Sequence, residues 1–281
     1  LTVCCLLMLP AIPLNAQREA KQIGDFKESI SLNEHLRGTK RTLQYRPDGD
    51  EFVCVNGKNR YTRALYGSHS PFRVETSDRP VFAFYNNGRG GNISFKVILR
   101  DGTELALDCT GHCESRYSAG KRTYYLTDPS WGKGELRISV LALADMDGAI
   151  WRFSPSNMPK GAILRWQHGG ATGKRLSRNG DMGVDPADCF ELPVEATDLV
   201  TGELPLQKEV YLVRGEVPED YNVRKLYQQA EAASLALASH LKIETPDPYL
   251  NTLGGALVAA ADGIWDGQVW LHGAIGWRMP L

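Results

Sequence analysis

The sequence predicts a mainly β protein, in which a large antiparallel β-sandwich is followed by a linker helix and then by a second helix. Between about residues 40 and 215, short runs rich in Val, Ile, Phe, Tyr and Thr recur without a helical period. Several runs end at dipeptides that favour tight turns, namely Asn56-Gly57, Asp101-Gly102 and Asp147-Gly148. After Val217-Pro218 the apolar spacing becomes helical.

The strand runs extend from RTLQYR near residue 41 to EVYLVRG at 209–215. The clearest is ISFKVIL, in which Ile93, Phe95, Val97 and Leu99 fall on one face. About a dozen such runs predict one antiparallel sandwich over residues 40–215. The same pattern predicts no helix longer than about ten residues within 90–165.

Two helices are expected after the sandwich. Residues 219–242 place Leu226, Ala230, Ala233, Leu237 and Leu241 at helical spacing, and Lys242 suits a helix C-terminus. Two prolines in ETPDPY end this segment, and a second helix is expected from near Tyr249 to about Ile264. Its Gly254 and Gly255 would allow a neighbouring element to approach closely.

The first sixteen residues, LTVCCLLMLPAIPLNA, are typical of the apolar part of a secretory signal peptide. We expect cleavage after Ala16, which leaves Gln17 as the mature N-terminus and places the protein in the periplasm or outside the cell. The alternative is a buried strand, which Pro10 and Pro13 disfavour. The initiator Met and a basic segment are absent, so we expect the sequence to be clipped at this end.

Composition excludes several classes of partner. The 281 residues contain 32 Lys and Arg and 33 Asp and Glu, a formal net charge of −1, and no basic stripe. A nucleic-acid partner is therefore not expected. No apolar run reaches membrane-spanning length, so no membrane span is expected either.

Four cysteines remain in the mature chain: Cys54, Cys109, Cys113 and Cys189. The sequence Cys109-Thr-Gly-His112-Cys113 leaves open a metal site, because thiolates and imidazole bind zinc. The interpretation we favour is a Thr-Gly turn between two strands, and a disulfide across this turn is left open. We expect no metal.

Residues 168–188, HGGATGKRLSRNGDMGVDPAD, form the longest stretch of the sandwich without strand character. Their glycines and Lys174 superficially resemble a phosphate-binding loop, but the spacing is one residue short and Arg175 replaces the hydroxyl residue that holds magnesium. A nucleotide is therefore not expected. Arg175, Arg178 and Asp181 are candidates to bind a hydroxyl-rich substrate, although a solvated loop without a role remains open.

The last stretch, GIWDGQVWLHGAIGWRMPL at 263–281, is rich in aromatic and ionisable residues. Aromatic platforms with carboxylates and amides are typical of sugar-binding sites. The substrate-binding candidates here are Trp265, Trp270, His272, Trp277 and Arg278, and the catalytic candidates are Asp262, Asp266 and His272. The alternatives are core tryptophans and an Asp262 that ends the helix.

Four stretches resemble a family of exported proteins from polysaccharide-degrading bacteria, in which a domain of unknown function precedes a six-hairpin glycosidase-like barrel. These are NRYTRALYG at 59–67, FRVETSDRPVFAFY at 72–85, GGATGKRLSRNGDMGVDP at 169–186, and TPDPYLNTLGGALVAAADGIWDGQVWLHGAIGWRMP at 245–280. The resemblance implies a β-sandwich followed by an α/α toroid. It divides the chain into a signal peptide at 1–16, a sandwich at 17–218, a linker helix at 219–243, and the start of a truncated toroid at 244–281.

The resemblance also implies a secreted glycoside hydrolase acting on a complex polysaccharide or oligosaccharide, with two carboxylates and no cofactor. Its catalytic acid and base would lie beyond Leu281, so we expect this portion to be non-catalytic. A polysaccharide lyase, which would use His272 and Arg278, and a non-catalytic carbohydrate-binding protein are the alternatives. If residues 168–188 serve the barrel, they must lie near residues 262–278.

Overall fold

The computed structural model describes residues 44–67, 69–70, 72–86, 89–170, 199–218, 220–265 and 267–270. In the first half of the chain the strands are β1 Arg46–Asp48, β2 Glu51–Val55, β3 Arg63–Leu65, β4 Arg73–Thr76, β5 Phe82–Asn86, β6 Arg89–Ile98, β7 Glu104–Ala106, β8 His112–Ser118 and β9 Lys121–Thr127. They are followed by β10 Glu135–Ala142, β11 Gly148–Ser156, β12 Ile163–Gly170, β13 Val200–Pro205 and β14 Val210–Gly215. The helices are α1 Val223–Ala238 and α2 Pro248–Gly263. The expected signal peptide lies outside the described residues.

Two antiparallel sheets face each other, as the strand pattern predicts. Among the described residues, the first sheet has the order β1-β2-β8-β9-β10-β11-β14 and the second the order β13-β12-β6-β5-β4-β3, with β7 paired to β6. The interval 90–165 holds only two three-residue 3-10 helices, Leu107–Cys109 and Pro129–Trp131. The prediction of an antiparallel sandwich is therefore confirmed.

Aromatic rings fill the space between the sheets. Phe82 of the second sheet packs edge-on against Trp151 of the first at 5.7 Å between ring centroids, and Phe95 packs against Phe153 at 5.1 Å. Ile93 and Val97 are fully buried beside them, while Lys96 is exposed on the opposite face. The alternation expected for this strand places its apolar side in the core.

Two of the three expected turn dipeptides join the strands of a hairpin, and the third does not. Asp101-Gly102 joins β6 to β7 and Asp147-Gly148 joins β10 to β11, as expected for hairpins. Asn56-Gly57 does not form a hairpin: Asn56 takes a φ of 50° just after β2, and its backbone N–H donates to the carbonyl of Cys113. Gly57 is needed there because a Cβ would lie 2.4 Å from the carboxylate of Asp78.

Helix α1 covers the outer face of the first sheet. The Asn222 side chain caps it by accepting from the N–H of Lys225 at 3.0 Å. Tyr227 and Ala230 are buried against Leu141 and Ile150. The segment expected to act as a linker is therefore packed on the sandwich.

Helix α2 begins at Pro248 after the capping residue Asp247, whose side chain accepts from the N–H of Tyr249 at 2.8 Å. Gly254 and Gly255 let α2 approach the end of α1, since a Cβ at Gly255 would lie 3.3 Å from that of Ala238. The close approach expected from these glycines is confirmed. Neither described helix is long and apolar enough to cross a membrane.

Both helices rest on the same end of the sandwich, which we call the helix end. Thr252 donates to the carbonyl of Gly49 between β1 and β2 at 2.9 Å. Ser234 donates to the carbonyl of Ala119 between β8 and β9 at 2.5 Å. The helix end is therefore the end at which these two connections lie.

Candidate functional site

A cleft of about 570 Å³ lies between the two helices and the helix end of the sandwich. One wall comes from the segment after β3 and from the turn after β10, and the other comes from α1 and α2. The ionisable and hydroxyl side chains that line it are Thr62, Arg63, Tyr66, His69, Tyr117, Asp145, Ser234 and Asp262. The cleft thus combines an apolar interior, mostly alanine and leucine, with polar groups.

Arg63 and two tyrosines form the sandwich side of the cleft. The guanidinium of Arg63 lies 5.5 Å from the ring centre of Tyr117, a cation–π contact, and donates to the carbonyl of Thr62 at 2.7 Å. Burial raises the pKa of Tyr66 to about 12, and burial likewise raises the pKa of Tyr117. Both phenols are therefore neutral hydrogen-bonding groups at physiological pH.

A hydrogen-bonded pair spans the rim of the cleft. His69, in the connection between β3 and β4, lies 3.2 Å from the carboxylate of Asp262 in the last turn of α2. Their side chains are 48% and 35% exposed, so the pair is reached by solvent. The Asp262 carboxylate therefore faces the sandwich, and only its backbone carbonyl, which accepts from the N–H of Trp265 at 3.0 Å, helps to end the helix.

Two tryptophans follow the helix directly. Trp265 and Trp270 form an antiparallel bridge across a turn in which Gly267 has a φ of +96°. Their ring centroids are 4.6 Å apart at an interplanar angle of 51°. Trp270 is 54% exposed, whereas Trp131 and Trp151 are core residues. Of the two interpretations open for these side chains, a core position does not fit Trp270.

Seven of the candidate residues lie outside the described part of the chain. They are Arg175, Arg178, Asp181, Asp266, His272, Trp277 and Arg278. The strands that flank residues 171–198 are described: β12 ends and β13 begins at the same end of the second sheet at which β3 ends and β4 begins, because each neighbouring pair is antiparallel. His69 lies in this β3–β4 connection, so these strand ends and the cleft share the helix end.

The expectation that residues 168–188 lack strand character is wrong for 168–170, because His168 lies in β12 and pairs with Ile93 of β6 and Val200 of β13. Its ring lies 5.0 Å from that of Phe84, and its Nδ1 accepts a hydrogen bond from Nε of Arg214 at 2.9 Å. Arg214 belongs to β14 of the first sheet, so this hydrogen bond joins the two sheets. Burial lowers the pKa of Arg214.

The cysteine cluster does not assemble a metal site within the described residues. Cys109 is exposed at the end of a 3-10 helix, whereas Cys113 is fully buried in β8. Both thiols and that of Cys54 are free, and burial raises the pKa of Cys113 to about 12. No group of three His, Cys, Asp or Glu side chains in the described chain is arranged to hold a metal. Cys189 lies outside that part.

Sequence reasoning missed Tyr66, His69 and Asp145, which line the cleft. The stretch NRYTRALYG contains Tyr66, but no spacing within it indicates a binding site. The separation of 193 positions between His69 and Asp262 explains this, because no local pattern joins them.

Residues 87–217 match the family model described as a domain of unknown function, DUF4450. The match extends from β6 to β14, so it includes Tyr117 and Asp145 of the cleft but leaves out β3, α1 and α2, which supply most of the other lining residues. None of the curated proteins matches the chain. The match supports the similarity to an unknown-function domain and leaves the function to be argued from the site.

Proposed function

We propose that this chain is the non-catalytic N-terminal portion of an exported glycoside hydrolase that acts on a complex polysaccharide or its oligosaccharides. In this proposal the cleft and the Trp265–Trp270 pair hold part of the sugar chain. The observation that carries the proposal is the exposed ring of Trp270, which contacts Trp265 just beyond the end of α2, one wall of the cleft.

Sugar rings present flat C–H faces and a rim of hydroxyl groups, so their sites combine exposed aromatic rings with hydrogen-bonding side chains. Trp270 supplies the ring, and Trp265 supports it from 4.6 Å. Arg63, Tyr66 and Asp145 supply donors and acceptors in the cleft. A volume of about 570 Å³ is within the range of roughly 300–1,000 Å³ typical of small-ligand sites.

The carboxylates of the cleft support a binding role more than a catalytic one. A glycosidase needs one carboxyl group kept protonated, which requires an apolar environment, across the scissile bond from a second carboxylate. Asp145 is exposed, and the side chain of Asp262 is 35% exposed and paired with His69. Neither has the surroundings of a catalytic acid.

Binding of sugar by the platform is tested by calorimetric titration of Trp270→Ala and Trp270→Phe with a panel of neutral oligosaccharides. We expect Trp270→Ala to weaken the binding of the sugar that the wild type prefers about tenfold, equal to about 1.4 kcal/mol, and Trp270→Phe to restore most of it. Tyr221→Ala, at an aromatic residue of 40% exposure before α1, is the matched control. Equal affinity in Trp270→Ala and wild type would contradict the proposal.

The non-catalytic assignment is tested by release of reducing sugar, and the lyase alternative by the absorbance of unsaturated uronates. We expect neither from the purified chain. Turnover that Asp262→Asn or Asp145→Asn abolishes would place a catalytic centre in this cleft and overturn the assignment.

Export is tested separately by expressing the chain with a start codon and a basic segment before Leu1. We expect N-terminal sequencing of the exported protein to begin at Gln17. An uncleaved protein retained in the cytoplasm would contradict this part of the proposal.

A further inference from the structure

A second groove, of about 560 Å³, lies on the second sheet away from the cleft. Its floor is formed by β6 and β12, and its walls by residues 58–60 before β3 and residues 77–81 between β4 and β5. These segments lie at the end of the sheet opposite the β3–β4 connection, because β3 and β4 each run between the two ends. The groove is therefore separate from the cleft.

The floor of the groove is polar. Asn92, Ser94 and Lys96 follow one another on one face of β6, and Ser94 pairs directly with Gln167 of β12. Asn92 is only 7% exposed and lines the same groove. A side-chain amide both donates and accepts hydrogen bonds, so this group suits a ligand that carries hydroxyl groups.

Four cations surround this floor: Lys58, Arg60, Arg79 and Lys96. Arg79 is held in place, because its Nη1 donates to the carbonyls of Asp108 and Thr110 at 3.1 and 2.8 Å. Neutral carbonyl groups therefore hold the guanidinium of Arg79 in position without cancelling its charge. Lys96 lies 3.5 Å from Glu104, and both side chains are exposed. Among the described residues that line the groove, Asp108 is the one carboxylate, so the groove is positively charged.

We propose that this groove binds an acidic glycan, a saccharide chain that carries carboxylate or sulfate groups. The cations would hold the acidic groups, and Asn92, Ser94 and Gln167 would bind the hydroxyls between them. This site lies outside the proposed sugar-binding cleft and would hold a different, charged part of a glycan.

The chemistry of the groove favours a glycan over a single-stranded nucleic acid. Bases need exposed aromatic rings on which to stack. The aromatic residue among the described lining residues is Phe95, which is 2% exposed and whose ring packs against Phe82 in the core. The polar floor offers amides and a hydroxyl in its place.

The test is a calorimetric titration of the full chain with a hexasaccharide of galacturonate, a sulfated hexasaccharide and neutral maltohexaose, at low and at high salt. We expect at least one acidic hexasaccharide to bind, with an affinity that falls as salt is raised, and maltohexaose not to compete for this groove. Lys58→Gln combined with Lys96→Gln should weaken acidic binding at least tenfold, because hydrogen bonds to charged groups are lost. Lys133→Gln, at an exposed lysine in the turn before β10, is the control.

Asn92→Ala separates a built site from general attraction. We expect it to weaken acidic-glycan binding severalfold while the binding of inorganic sulfate is unchanged, and thermal unfolding reports whether the variant is folded. If Asn92→Ala does not fold, the Lys58/Lys96 variant decides. Absence of binding to both acidic hexasaccharides, unchanged binding in the lysine variant, or tighter binding of a single-stranded oligonucleotide would each overturn the proposal. Trp270→Ala should leave this binding unchanged, so that failure of the groove and failure of the cleft are distinguished.

Discussion

Replacement of Asp78 by alanine should destabilise the sandwich strongly, because this carboxylate is fully buried and accepts several hydrogen bonds. Its side chain is 0% exposed. It accepts from Nε2 of Gln44 at 2.8 Å, from the backbone N–H of Asn59 at 2.9 Å and from the hydroxyl of Tyr45. The guanidinium of Arg122, itself buried, lies 3.6 Å away.

The magnitude follows from what the substitution leaves behind. Removing one partner of a buried ion pair costs about 3–5 kcal/mol, because the other charge stays buried without compensation. Arg122 would retain hydrogen bonds to the carbonyl of Ser77 and to Ser115, so we take a value near the middle, about 4 kcal/mol. For a domain of this size each kcal/mol lowers Tm by roughly 2–4 °C, so Tm should fall by roughly 8–16 °C.

Thermal unfolding followed by circular dichroism measures this effect, with urea unfolding as a second measurement. Asp78→Asn keeps the shape but replaces an acceptor with a donor that faces other donors, so we expect a smaller but clear loss. Asp50→Ala, at an exposed aspartate in the β1–β2 turn, should leave Tm unchanged. A Tm for Asp78→Ala within about 3 °C of the wild type would refute the assignment of Asp78 as a structural centre.

Three further substitutions test the packing of the helices. Burial raises the pKa of Tyr227 from 10 to about 12, so its contribution to the free energy of unfolding is complete below pH 10 and is lost as pH rises through 12. Tyr227→Phe should therefore remove about 2–3 kcal/mol of the decline in this free energy at alkaline pH, measured by urea titration. An unchanged decline would contradict this. Gly263→Ala would place a Cβ 2.2 Å from the ring of Tyr66, and a cost of about 1–3 kcal/mol in urea unfolding is expected; full stability would show that the ring moves freely. Ser234→Ala removes the hydrogen bond to Ala119 and should cost about 1 kcal/mol in the same assay, and no loss would show that this bond does not help to hold α1.

Local patterns were sufficient to predict the sandwich and the helices. The strict alternation of Ile93, Phe95 and Val97 requires a strand with one buried face, and β6 is that strand. Asn56-Gly57 shows the limit of such patterns. Its positive φ was foreseeable, but its role at the end of β2 depends on the carboxylate of Asp78, twenty or more positions away.

The two candidate sites could not be predicted because their residues meet only through the fold. Lys58, Arg79 and Lys96 come from three separate segments, so the sequence shows no basic stripe although the groove is positively charged. His69 and Asp262 meet because α2 returns to the end of the sheet at which β3 ends. The contact between Trp265 and Trp270 is easier to predict, because the two residues are close in sequence, but their exposure depends on the fold.

The separation of the cleft and the groove leads to a further prediction about how they act together. No residue lines both the cleft and the groove, although Arg60 of the groove and Thr62 of the cleft are only two positions apart. Substitutions at residues that share no partner usually act independently. For hexasaccharides, the loss in binding free energy for Trp270→Ala combined with Lys58→Gln and Lys96→Gln should therefore equal the sum of the separate losses.

A long acidic polysaccharide should behave differently, because one chain could reach both sites. Binding at one site then raises the effective concentration of the chain at the other, and loss of either site removes this gain as well as its own contacts. Affinity electrophoresis in gels containing the polymer should therefore show that either substitution alone removes most of the retardation. Non-additive losses with hexasaccharides would mean that the two sites are one. Each substitution could instead reduce the binding free energy for the polymer only by the amount that it costs with hexasaccharides. That result would mean that the two sites bind separate chains.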